Sequence, residues 1–186
     1  MLLDCSSYES TKLSLANIFN TTEERLVSAL KPLRPFESIC QPPEDILYDN
    51  VCDIFGAPRD DINILWFHGT RTDNENLFYE HGILNKSKAR RYIEPLLISM
   101  SKGLKSSGCN PFSVSLSGKQ GIHDEGPFAF LIREVAIQAP VPCHGYLDAP
   151  EMVEDIAGTL LGENYLQLVD RFKKITSPYV VSFISE

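Results

Sequence analysis

The run Trp66-Phe67-His68-Gly69-Thr70-Arg71 gathers the residue types with the most chemical potential in this chain. An imidazole can bond a ribose hydroxyl. A glycine beside it bares the backbone, so its N–H and C=O can pair with a flat carboxamide. A threonine hydroxyl can brace the turn. The simpler alternative is a strand-ending turn with a solvent-facing histidine, and three residues alone favour that one.

Other chemistries lack their residues. The histidines are His68, His81, His123 and His144, none four residues from another, and no HExxH occurs. Cys143 and His144 are adjacent, which on a strand sends them to opposite faces, so no metal is expected. Gly118-Lys119 runs into Gln120, and Ser113 stands where a P-loop needs glycine. GxGxxG and GxSxG are absent, so neither a Rossmann site nor a hydrolase elbow is indicated.

The bulk numbers bound the partners. The net charge is −8 and the pI about 5.0. A duplex or an anionic membrane repels such a surface on average, a local basic patch excepted. Nucleic acid and membrane partners are therefore not expected. Five scattered cysteines without CxxC do not form a disulfide framework. The first ten residues lack a basic start followed by an apolar run, and no run approaches the roughly 18 apolar residues of a spanning helix. The expected compartment is the cytoplasm, or another cell's cytosol after delivery.

Elements must position the His68 run. Residues 13–30 read as helix, with Thr21 or Thr22 capping a second start and Glu23 and Glu24 favouring the dipole. Pro43 suits the first turn of a helix to Phe55, ended by Gly56. Residues 62–67 read as a buried strand. Asp73 or Asn74 caps a short helix at 75–81, closed by Gly82. Pro95 in a first turn starts a helix at 94–104. Residues 108–111 make a turn, and residues 112–117 alternate as a strand. Residues 128–137, FAFLIREVAI, are the strongest strand signal. Pro150 starts a helix to Leu161, residues 165–174 read equally as helix or strand, and residues 178–184 close as a strand. The expected fold class is α+β, with helices on a small, mostly antiparallel sheet. One domain is expected, with residues 1–61 as a helical cover and 62–186 as the core.

Residues 65–74, LWFHGTRTDN, followed by a helix and Gly82-Ile83-Leu84, resemble the first motif of ADP-ribosyltransferases, closest to the diphtheria-toxin and poly-ADP-ribose-polymerase branch. Residues 112–117 fall where that family's second strand lies, residues 131–137 where its central strand lies, and residues 178–183 where its last strand lies. The resemblance implies a split two-sheet fold with an NAD cleft. It implies that His68 holds the nicotinamide ribose and the Gly69 backbone the carboxamide. Thr70, Phe112, Ser113 and Ser115 would complete the cleft, with Arg71 on the pyrophosphate. The family's second-motif tyrosine is missing, so Phe112, a serine or Tyr92 would serve. The resemblance also asks for a late glutamate at a strand start, to stabilise positive charge on the ribose. Glu163 leads, if residues 163–168 are that strand, and Glu151 is the rival. Each also suits the solvated N-terminal turn of a helix.

The expected activity is transfer of ADP-ribose from NAD to a protein or other macromolecular acceptor, or hydrolysis of NAD. The alternative is a non-catalytic interaction or inhibitor protein on a degenerate scaffold of this kind. RNA phosphate removal is a third reading, weakened by the lack of clustered arginines around His68.

Overall fold

A computed structural model describes residues 1–37, 41–109 and 126–185. In order these form β1 (Leu2–Leu3), α1 (Tyr8–Ile18), α2 (Glu23–Leu30), a 3-10 turn (Pro35–Glu37), α3 (Pro43–Phe55), β2 (Asn63–Thr72), α4 (Asn76–His81), α5 (Lys86–Met100), α6 (Arg133–Gln138), α7 (Glu151–Leu161), α8 (Tyr165–Ile175) and β3 (Ser177–Ser185). The protein is thus mixed α+β. Its described strands make one three-stranded sheet in the order β1-β2-β3. β1 runs parallel to β2, with Leu2 opposite Asn63 and Leu3 opposite Ile64.

The chain gathers into two compact units, with the division inside β2 between Trp66 and Phe67. The first comprises the described residues of Met1–Trp66, Leu131–Arg133 and Phe183–Glu186; the second comprises those of Phe67–Phe130 and Glu134–Ser182. In the first unit, Ser7 and Ser10 form a reciprocal capping box on α1. The Thr22 hydroxyl accepts from Arg25 N at 3.3 Å and starts α2, so the break expected near Thr21–Thr22 is present. Ala16, Leu26 and Val51 form that unit's core with Leu15, Phe19, Leu30 and Phe55 packed around them. The Trp66 indole donates to Ser185 Oγ at 2.7 Å.

The second unit is built on α5, α7 and α8. Leu97, Val153, Ile156 and Leu168 are its largest fully buried side chains. Each contributes about 1.5–3 kcal/mol by leaving water. In α8 the buried Leu168, Val169 and Phe172 line one helical face, which settles residues 165–174 as helix.

Three expected elements come out differently. The strand expected at 62–67 continues to Thr72, so His68-Gly69-Thr70 lies inside β2 and not at its end. The helix expected from Glu94 begins at Lys86: Asn85 Oδ1 accepts from Lys88 N at 3.0 Å and caps it, leaving Pro95 in the interior. The strand expected at 128–137 is a strand only at one point. Phe130 exchanges two backbone bonds with Phe67, at 2.8 and 2.9 Å, and the chain then turns into α6. Glu134 in the first turn suits the helix dipole, and the Gln138 amide donates to its carboxylate one turn on. The strand expected at 112–117 lies outside the described residues.

Candidate functional site

All the described site residues belong to the second unit. Inward and outward positions alternate along β2: Phe67 and Gly69 are buried, while His68 and Thr70 are partly exposed. The His68 ring is held by the main chain, with Nδ1 2.7 Å from the Phe128 carbonyl oxygen. A carbonyl can only accept, so Nδ1 carries the proton and Nε2 of the neutral ring keeps its lone pair. Burial lowers the His68 pKa below the ordinary imidazole value, against a smaller opposing effect of the Phe128 carbonyl. The ring is thus a neutral acceptor with one defined tautomer.

The residue whose carbonyl holds the ring belongs to an aromatic cluster. Phe128 and Tyr146 are stacked at 5.3 Å and 20°, and Phe130 meets Phe128 edge-on at 5.0 Å. Tyr146 in turn packs edge-on with His144 at 4.6 Å. Burial, and then the charge of Glu151, push the Tyr146 pKa up to about 12. Its hydroxyl therefore stays protonated at neutral pH and keeps a proton to donate. His144 Nε2 lies 2.8 Å from the Ala149 carbonyl and 3.8 Å from Glu154 Oε2. Burial raises the Glu154 pKa, and His144 pulls it back in part.

Gly69 and Arg71 play parts the sequence did not suggest. A Cβ on Gly69 would lie 3.1 Å from Tyr146 Cβ and 3.5 Å from both the Ala136 oxygen and a Leu147 methyl. The glycine admits this protein segment on that side, not a flat ligand. Arg71 Nε donates to Thr176 Oγ1 at 3.2 Å, Nη1 to the Leu147 carbonyl at 2.7 Å, and Nη2 to the Thr176 and Lys173 carbonyls at 2.8 and 3.3 Å. That fork ties β2 to the end of α8 and to the loop before α7, and is spent on protein carbonyls instead of a pyrophosphate.

The two glutamates lie at opposite ends of α7. Glu151 opens the helix, in its first turn, and its charge reaches Tyr146. Glu163 follows the helix, whose 11 residues span about 16 Å. It does not start a strand, because α8 begins two residues later. Its side chain lies over Gly108, within 2.5 Å of where a Cβ there would stand, and its N–H donates to the Ser107 carbonyl at 2.7 Å. Glu151 thus acts on Tyr146, whose ring stacks on that of Phe128, while Glu163 lies against Gly108. Glu151 is not at a strand start either. Thr70 simply continues β2. Phe112, Ser113 and Ser115 lie outside the described residues.

Tyr146 and Glu154 do not stand out in the sequence, and His144 stands out there only as a metal ligand to be set aside. Their signal was the segment Cys143-His144-Gly145-Tyr146-Leu147-Asp148 between prolines, running into a helix with Glu151 and Glu154. Among the described residues no group of three or more His, Cys, Asp or Glu is placed to hold a metal ion. A pocket of about 310 Å³ in the first unit, lined by Glu24, Arg25, Ser28, Ala29, Ile54 and Phe55, contains none of the candidate residues. No helix of the described chain is long and apolar enough to cross a membrane. Compared with known proteins, the chain matches no family model, no curated sequence and no solved structure.

Proposed function

We propose that this chain binds NAD and transfers its ADP-ribose to a protein acceptor, with water as the default acceptor. The observation that carries the reading is the His68 ring: neutral, and tautomer-fixed by the carbonyl of Phe128, a residue whose own ring stacks on Tyr146. A neutral Nε2 accepts a ribose hydroxyl, and an aromatic ring suits the flat nicotinamide. In the reaction the bond from ribose C1′ to the nicotinamide nitrogen breaks and its electron pair leaves with nicotinamide. Positive charge grows on the ribose, and the acceptor's nucleophile bonds to C1′ as it gives up its proton. A carboxylate beside that charge stabilises it. Glu151 is the carboxylate we assign, because its charge already acts on Tyr146. The finer fold expectation, a split two-sheet core of the ADP-ribosyltransferase kind, belongs to the same proposal.

A second reading is a binding protein on the same scaffold without turnover. Arg71 favours it, since a guanidinium donating four bonds to protein oxygens gives a pyrophosphate no free fork. Released nicotinamide separates the two. The full chain with NAD should release it, and His68→Ala should abolish release. Saturable NAD binding without release selects the second reading. No NAD binding ends both.

A further inference from the structure

The cations of this chain are unevenly placed. Residues 82–109 carry six, Lys86, Lys88, Arg90, Arg91, Lys102 and Lys105, against the single acid Glu94, a net +5 in a chain of net −8. Glu94 is itself clamped by Arg90, whose Nε and Nη2 lie 2.9 and 3.1 Å from its oxygens. α5 carries the first four of these cations and has two faces. Its apolar face, Leu97 with Ile93, Leu96 and Met100, is buried in the core of the second unit. Its outward face presents Lys88, Arg91, Tyr92, Pro95 and Ile98, all exposed at helical spacing. Tyr92 is 64% exposed, and its ring stacks on His81 at 6.4 Å and 25°. Glu80, 3.9 Å from His81 Nε2, offsets some of the charge at that end.

We infer that this outward face of α5 binds single-stranded nucleic acid, with phosphates on Lys88 and Arg91 and a base on the Tyr92 ring. The inference stands apart from the NAD reading. Exposed rings set among cations supply stacking and charge together, which is what an unpaired strand asks of a protein. An acidic peptide would use the cations and leave the ring idle. A bilayer needs an apolar helix face to insert, and the one on α5 is already in the core. A duplex is stiff and presents its charge broadly, so it meets the acidic remainder of the surface. A flexible strand can follow a helix of about 22 Å and stay within the roughly 8 Å over which charge acts at physiological salt. The net charge thus misleads, because it averages over distances that salt screens.

Fluorescence anisotropy of a labelled single-stranded oligonucleotide of about 15 nucleotides, titrated with the full chain at about 50 mM salt, tests this. Saturable binding that weakens with salt is expected. The double charge reversal Lys88→Glu with Arg91→Glu should weaken it about tenfold or more. Tyr92→Ala should weaken it roughly fivefold by removing a stacked base. These positions are exposed, so the core is untouched. No saturable binding overturns the inference, as does binding that ignores the double reversal. Equal binding of a duplex of the same sequence, of polyglutamate or of anionic phosphatidylserine vesicles also overturns it.

Discussion

The two ends of α7 belong to one helix and one unit, yet they are built for different purposes. At its start, Glu151 and Glu154 gather with Tyr146 and His144, and the pKa of Tyr146 and that of Glu154 are displaced. At its close, Gly162 has φ +61°, and its backbone is pressed against the carbonyls of Ser107 and Gly108. One end holds ionisable groups that burial displaces; the other is a backbone corner with no room for a side chain. The difference teaches that a glutamate's neighbours, more than its place in a motif, decide its candidacy.

The corner should prove the more fragile. In Gly162→Ala the new Cβ would lie 2.3 Å from the Ser107 oxygen and 2.6 Å from that of Gly108, at a φ that L residues avoid. Urea unfolding should show a loss of about 4 kcal/mol, and a variant as stable as the parent would break the contrast. Next in size, Arg71→Met strands the carbonyls that hold the loop before α7. It should cost about 3 kcal/mol in the same measurement, with Arg71→Lys recovering little because the fork is lost. Glu151→Gln should leave folding nearly intact and slow nicotinamide release about a hundredfold.

Acid should act more gently. His68 has a lowered pKa in the fold, so below the ordinary imidazole value the unfolded chain takes up a proton that the native ring resists. Stability should therefore fall as pH drops through about 6.5 and level off below the native pKa, and His68→Gln should flatten that part of the pH–stability curve. The smallest effect is expected for Glu163→Gln. Stability should change by no more than about 0.5 kcal/mol and nicotinamide release not at all. A large fall in release there would reverse the assignment of the two glutamates.

Local signals were legible where chemistry is local. Thr22, Pro43, Gly56, Gly82 and Pro150 marked helix ends that the structure has at those residues, because caps and prolines act within one turn. Residues 128–137 misled because β-branched and aromatic residues favour a strand only where a partner strand exists. The described chain pairs Phe130 alone, and Arg133 and Glu134 turn the rest into helix. Pro95 misled in the opposite way: it suits a first turn, but the Asn85 cap set the start two turns earlier. At the site, His68 was legible as a residue type at a strand. Its tautomer, the filled space at Gly69 and the engaged fork of Arg71 depend on residues 128, 146, 147 and 176, and no reading along one line of sequence brings those together.

The single Phe67–Phe130 rung has a dynamic consequence. Among the described residues two hydrogen bonds make the backbone pairing there, and two residues upstream sits the oxygen that orders the imidazole. If this segment frays, His68 loses both its acceptor and its shelter, and its proton affinity returns toward that of a free side chain. Protonation and detachment thus share one thermodynamic cycle, and acidification drives the peeled form.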